Sequence, residues 1–198
     1  MHENRHTSGN TSPLRLSIGE LLASEIDRQP FDFSFPFADS KLDLPDGPVE
    51  AAELLAPDAG LSEAPCRISG ELRNAAGYVT ADIRIELPYT AQCARCGRTC
   101  AFTLDVSQTY MLRPQKQSQA DGSDNETDIL YFTGSALDLS PAVADTVVLN
   151  MPSRHLCRED CKGLCPVCGA DLNAGGCGCD TKTRDPRWAA LDQLTDNN

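Results

Sequence analysis

Residues 68–87, ISGELRNAAGYVTADIRIEL, decide the architecture. Ile68, Gly70 and Leu72 alternate with polar side chains, and Asn74-Ala75-Ala76-Gly77 has the composition of a turn. Val79, Ala81, Ile83, Ile85 and Leu87 then keep a period of two, with Asp82, Arg84 and Glu86 among the residues between them. Successive strand side chains point to opposite faces, so this pattern predicts an antiparallel hairpin with one buried and one solvated face. Working downstream, Phe102, Leu104 and Val106 alternate again towards Tyr110 and Leu112, and Ile129-Leu130-Tyr131-Phe132 reads as a short buried strand. Working upstream, Leu14, Leu16 and Ile18 predict another short strand. Phe31, Phe33, Phe35 and Phe37 also alternate. A stacking platform for bases would carry cations between its rings, but Asp32, Ser34 and Pro36 stand there, so a core-facing strand is expected. Residues 38–65 predict a loop with short local structure, and 114–128 a polar loop. Ser140-Pro141 and Asp185-Pro186 each join a capping residue to a first-turn proline. The first opens a helix over Ala142 to Leu149; the second opens a terminal helix with Trp188, Leu191 and Leu194 on one face. The expected fold class is α+β, a mostly antiparallel β-meander core with short helices.

Composition narrows the function. The 198 residues carry 17 basic and 29 acidic side chains, a formal net charge of -12. A free-standing, sequence-blind nucleic-acid binder needs counter-charge for phosphates, and the chain as a whole lacks it. Residues 66–116 are the one basic stretch, around the first cysteine pair. No run approaches the roughly 18 apolar residues of a membrane span. The start, MHENRHTSGNTS, has no apolar leader segment, so a cytoplasmic, reducing location is expected. No phosphate loop, HExxH or G-x-S-x-G motif is present, and no small-molecule substrate is evident. With three histidines, two of them in the first ten residues, general acid–base chemistry has few candidates.

Ten cysteines carry the remaining signal: Cys66, Cys93, Cys96, Cys100, Cys157, Cys161, Cys165, Cys168, Cys177 and Cys179. In a reducing compartment such spacing reads as metal ligation. Cys93-Ala94-Arg95-Cys96-Gly97 and Cys165-Pro166-Val167-Cys168-Gly169 are both CxxCG, the zinc-knuckle pattern, in which the glycine tolerates a positive φ. Each knuckle supplies two of the four thiolates that tetrahedral zinc takes. For the second, Cys177-Gly178-Cys179 is the nearest partner pair, reached through a loop containing Gly175-Gly176, so Cys165, Cys168, Cys177 and Cys179 form the first expected site. Cys161 could replace a member of that tight CxC pair. Cys157 and Cys161, four apart on a helical turn, could complete a second site with Cys93 and Cys96. The alternative leaves Cys93 and Cys96 without metal. His155 is expected to be exposed and is not counted as a ligand. Iron–sulfur ligation and thiol redox chemistry remain open to four cysteines, though a thioredoxin-type CxxC opens a helix in a βαβ unit and this one sits between strands. Cys66 reads as a core thiol and Cys100 as a spare one. Closed four-cysteine zinc has no open position for water, so the expected zinc is structural.

One family matches these residues. Cys157-x3-Cys161-Lys162-Gly163-Leu164-Cys165-Pro166-x-Cys168-Gly169-x-x-Leu172-Asn173, then Cys177-x-Cys179, then Asp185-Pro186-Arg187-Trp188-x-x-Leu191-x-x-Leu194, resembles the C-terminal signature of the YceD family, the large ribosomal RNA subunit accumulation proteins. Cys93-x-Arg95-Cys96-Gly97 and Leu137-Asp138-Leu139 look like that family too. The resemblance implies a role in production or stability of large-subunit ribosomal RNA and in ribosome assembly, and no characterised enzymatic activity. Three parts are expected: a disordered tail at 1–13, a β-rich domain at 14–150 holding the first CxxCG, and a zinc-ribbon-like cysteine module with its terminal helix at 151–198. Arg84, Arg95 and Arg98, with Arg73 and Arg113 as neighbours, are the candidate contacts for a large-subunit precursor, either its RNA or a basic ribosomal protein. Lys162 and Arg187 are further candidates beside the cysteine module. The runner-up function is a zinc-stabilised adaptor for basic proteins, and the third a thiol redox protein.

Overall fold

The structure is a computed structural model that describes residues 14–37, 40–55, 59–115 and 128–180. The tail expected at 1–13, most of the polar loop at 114–128 and the terminal helix with Trp188, Leu191 and Leu194 lie outside those residues. In chain order the elements are β1 (Arg15–Ser17), α1 (Gly19–Leu22), β2 (Arg28–Phe35), β3 (Lys41–Leu44), β4 (Gly47–Glu50), a 3-10 turn (Ala51–Leu54), β5 (Ala59–Leu61), β6 (Cys66–Ala75), β7 (Tyr78–Gln92), β8 (Thr99–Pro114), β9 (Ile129–Phe132), β10 (Ala136–Asp138) and α2 (Ser140–Asn150). The protein is thus mostly β, rich in antiparallel pairs, with few helices.

The alternation at 66–92 becomes the centre of a sheet ordered β2-β6-β7-β8-β9, with β5 also pairing β7. β6 and β7 run antiparallel from Arg67↔Glu86 to Ala75↔Tyr78. That register leaves Ala76 and Gly77 as a two-residue turn, and both have positive φ, 53° and 91°. This is the turn whose twist matches that of the flanking strands. Asn74 Oδ1 accepts the Gly77 N–H at 3.0 Å and secures it. Along β7 every second residue from Val79 to Ala91 is buried. Each fully buried Ile or Leu contributes about 1.5–3 kcal/mol, which makes β7 the spine of the core.

The phenylalanine strand faces that core as expected: Phe31 and Phe37 are buried and Phe33 and Phe35 half-buried. Residues 38–65 supply the β3–β4 hairpin, the 3-10 turn and β5. β9 joins β8 in parallel, Met111↔Ile129 to Pro114↔Phe132. A parallel partner needs a connection of roughly a dozen residues or more, which the stretch between β8 and β9 provides. Helix α2 covers Tyr110, whose hydroxyl donates to the Ala142 carbonyl at 3.1 Å and lies 2.8 Å from Thr146 Oγ1. The residue at its N-cap position is Leu139 rather than Ser140: Ser140 is the first helical residue, buried, and its N–H donates to Asp138 Oδ1 at 2.9 Å. No helix among the described residues is long and apolar enough to cross a membrane.

Contacts divide the chain into two units. One contains the described residues up to Ala91 together with 101–153, and the whole hydrophobic core lies in it. The other joins residues 92–100 to those from 154 onward.

Candidate metal centres

Both knuckles of the second unit are built the same way. The Gly97 N–H donates to the Cys93 carbonyl at 2.8 Å, and the Gly169 N–H to the Cys165 carbonyl at 2.8 Å. Each turn returns through its glycine in the left-handed region, φ 68° and 73°, a conformation glycine adopts without steric cost. The strand-like return is closed by Cys93 N–H to the Arg98 carbonyl (2.9 Å) and Cys165 N–H to the Ala170 carbonyl (2.8 Å). In this geometry both thiols of a CxxC face one point.

The chain brings four sulfurs to each point. Cys93, Cys96, Cys157 and Cys161 form one set, and Cys165, Cys168, Cys177 and Cys179 the other; within each the sulfurs all lie within 4.8 Å of one another. The structure therefore assembles both sets that the spacing suggested, without Cys161 entering the CxC set. Cys157 and Cys161 do so on a turn, Cys161 N–H to the Arg158 carbonyl at 3.2 Å, rather than on a helix. Cys93 Sγ is 3.9 Å from Cys161 Sγ, and Cys96 Sγ is 3.8 Å from Cys157 Sγ. A tetrahedron with Zn–S near 2.3 Å has edges of about 3.8 Å, whereas a disulfide needs about 2.05 Å. All ten cysteines are free thiols. Each set can thus hold one metal ion and is compatible with zinc. The sets differ in access, since Cys93 and Cys161 are buried while Cys168 is exposed.

The first set is held shut by backbone contacts. The Ala94 N–H donates to the His155 carbonyl at 2.8 Å, and the Leu164 N–H to the Arg95 carbonyl at 3.1 Å. Arg95 Nη1 donates to the Glu159 and Cys161 carbonyls at 2.9 and 2.7 Å. Gly163 lies in this seam with φ +76°, and a Cβ there would stand 2.8 Å from the Arg95 carbonyl oxygen. Asn173 ties the second arm: its Oδ1 accepts from the Lys162 N–H and from Arg158 Nη2, each at 2.8 Å, and its Nδ2 donates to Asp171 Oδ1 at 2.7 Å and towards Cys161 Sγ at 3.6 Å. Spacing pointed to none of these supporting roles. The signal available for Gly163 was the Lys-Gly-Leu turn between two cysteines. His155, expected to be exposed, is buried at 3% exposure, and its carbonyl receives the Ala94 N–H of the first knuckle.

Electrostatics already separate the thiols. Backbone N–H groups of Cys157 and then Cys96 stabilise the Cys93 thiolate and bring its pKa down to about 5. The N–H groups of Cys168 and Val167 bring Cys165 down to about 6. Desolvation and then the neighbouring Cys161 push Cys157 up to about 12. Hydrogen bonding to Cys168 and Cys177, with desolvation, pushes Cys179 up to about 12. Two cysteines stand outside the sets. Cys66 is a core thiol raised to about 12 by burial, and Cys100 lies half-buried with its Sγ 3.7 Å from the Arg98 carbonyl.

The three candidate contact arginines fall in different surroundings. Arg84 belongs to the first unit and holds Asp105 through two bonds, 2.9 and 2.7 Å, with Glu86 at 3.1 Å. Arg95 and Arg98 belong to the second; Arg95 braces the cysteine seam, and Arg98 is more than half exposed with Asp171 at 3.3 Å. Arg73 pairs with Glu71 and Asp82. Arg187 lies outside the described residues.

The chain is similar to a known family and to several known proteins. The family model described as large ribosomal RNA subunit accumulation protein YceD matches residues 81–195. An uncharacterised protein of Mycobacterium tuberculosis is 32% identical over 110 residues, covering 56% of this chain and 52% of that protein. One from Mycobacterium leprae is 28% identical over 119 residues, covering 60% and 51%. The large ribosomal RNA subunit accumulation protein YCED homolog 1, chloroplastic, of Arabidopsis thaliana is 25% identical over 130 residues, covering 53% of this chain and 40% of that one. The chain thus spans about half the length of the curated relatives it matches. No solved structure matches.

Proposed function

The chain belongs to the YceD family, and from that membership we propose that it is a non-enzymatic factor supporting accumulation of large-subunit ribosomal RNA and assembly of the large ribosomal subunit in the cytoplasm. The observation that carries the reading is the coincidence of the matched region with both four-cysteine sets: all eight ligand candidates fall within residues 81–195. In this reading each set holds one structural zinc, making the second unit a zinc-ribbon-like module. Four thiolates close the ion's coordination, so the metal shapes a surface and activates no water.

The partner is a large-subunit precursor, met through its RNA or through a basic ribosomal protein. Of the three candidates, Arg98 has the most exposed guanidinium not tied into a sheet pair or the cysteine seam, and the contact role goes to it first. Arg84 spends its charge on Asp105, and Arg95 supports the seam, so its reversal would disturb the fold before any contact. The adaptor reading is favoured by one observation of its own, the net charge of -12, which attracts basic proteins and repels bare phosphate. A sucrose gradient of extracts with and without the protein tests the proposal. Loss of mature large subunits, with the protein sedimenting on their precursors, is expected; a normal profile with the protein at the top overturns it. Ribonuclease treatment of the precursor fraction separates the two modes: release points to RNA, retention to a protein. Metal analysis of purified protein should find two zinc ions per chain, and iron in their place would overturn the cofactor assignment.

A further inference from the structure

Outside the cysteine sets, the first unit carries a groove of about 550 Å³ between the β3–β4 hairpin and helix α2. Pro45, Pro48 and Val49 of the hairpin and Pro141 of the helix give it an apolar lining. Asp46 at the hairpin tip and Asp145 on the helix stand on its walls, and among the described residues no lysine, arginine or histidine lines it. The nearby cations are already committed: Lys41 holds Glu50 at 2.7 Å, and Arg15 holds Asp138 at 3.1 Å and Asp43 at 3.7 Å. Neither Asp46 nor Asp145 forms an ion pair among the described residues. Asp145 is exposed on the helix, and partial burial still raises its carboxyl above the usual range, so an arriving cation would favour its charged form.

The helix extends this surface. Asp145, Val148 and Leu149 follow Pro141 at positions i+4, i+7 and i+8, which lie on one helical face. Val148 and Leu149 are 54% and 76% exposed, while Val143 and Val147 on the other side are buried in the core. Single exposed aliphatic residues are ordinary on protein surfaces. Here two of them continue an apolar groove rimmed by two unpaired carboxylates.

We propose that this face docks a basic, apolar-anchored segment of a protein partner, an extended stretch in which lysine or arginine alternates with aliphatic residues. Charge complementarity selects that occupant. Ammonium or guanidinium groups would meet Asp46 and Asp145, and the aliphatic side chains would cover the prolines and Leu149. A phosphate backbone would meet two carboxylates and no cation, so RNA does not fit. The inference stands apart from the ribosomal reading, because it concerns a surface in the other unit and needs no metal.

A short synthetic peptide alternating lysine and leucine is the probe, titrated into the full metal-loaded chain. Binding that weakens with salt is expected. Asp46→Asn combined with Asp145→Asn should lower the affinity about tenfold, and Leu149→Ser several-fold. Glu20→Gln with Glu25→Gln, which removes the same charge from residues that do not line the groove, should leave it unchanged. An equal loss in that control pair would show attraction to the chain's overall charge and overturn the proposal. So would absence of peptide binding, or competition for the groove by single-stranded oligouridine.

Discussion

The thiols of one site ionise over a span of several pH units although their sulfurs nearly touch. At neutral pH Cys93, at about 5, is a thiolate, while Cys157, at about 12, keeps its proton. Cys96 is also raised: the Arg98 N–H pulls it down, but desolvation and the Cys93 thiolate outweigh that. Metal ligation needs every thiol deprotonated, so metal entering this set expels at least the protons of Cys96 and Cys157. Protons compete with metal, so acidification weakens binding, by about a hundredfold or more per pH unit near neutrality for two protons. Calorimetric titration of the metal-free protein in buffers of different ionisation enthalpy reads that proton count, and a count below two would contradict the arrangement. At this scale the sequence spoke unevenly. The four ligands of the CxC set lie within one short stretch and were legible as a group. For Cys93 and Cys96 any distant pair of thiols could have competed, and only tertiary structure shows that Cys66 is consumed by the core while Cys157 and Cys161 arrive instead.

Among the elements, the β6–β7 hairpin was the most legible, because a period of two tolerates only one register with its apolar face inward. Its turn is nonetheless imperfect. Ala76 occupies φ 53°, a region where a Cβ is crowded. Asparagine tolerates that region better, and Asn-Gly is the favoured pair for this turn. Ala76→Asn should therefore stabilise the first unit by about 0.5–1 kcal/mol, read as a higher urea midpoint with unchanged slope; a lower midpoint would refute the turn assignment. The β8–β9 pairing was not legible in the same way. An apolar run such as Ile129 to Phe132 announces burial but carries no information on strand direction. Helix α2 shows a similar limit: the Ser140-Pro141 signature located its start, yet the N-cap position falls on Leu139, and the carboxylate that takes the Ser140 N–H is Asp138, outside the motif.

For the molecule as a whole, the two units differ in what can stabilise them. The hydrophobic core belongs entirely to one unit. In the other, the buried positions among the described residues are Cys93, His155, Cys161, Gly163 and Cys165, with no buried Leu, Ile, Val or Phe among them. Such a unit has little apolar surface to offset its chain entropy, and structural metal sites of this kind contribute about 10–16 kcal/mol. Stripping the metal with a strong chelator should abolish hydrogen-exchange protection at Ala94, Gly97, Leu164, Cys165 and Gly169. Protection in β6 and β7 between Arg67 and Glu86 should persist. Concerted loss in both units would show that the sheet also depends on metal. The first cysteine set has a consequence in time as well. Cys96 and Cys157 are 61 residues apart, so at about 5–20 residues per second the first knuckle leaves the ribosome roughly 3–12 seconds before its partner exists. The second set is synthesised almost at once. With the set holding metal as proposed, the newborn chain carries during that interval an incomplete pair of thiols, open to oxidants and to the wrong metal, and the rate of translation becomes one of the variables that decide correct loading.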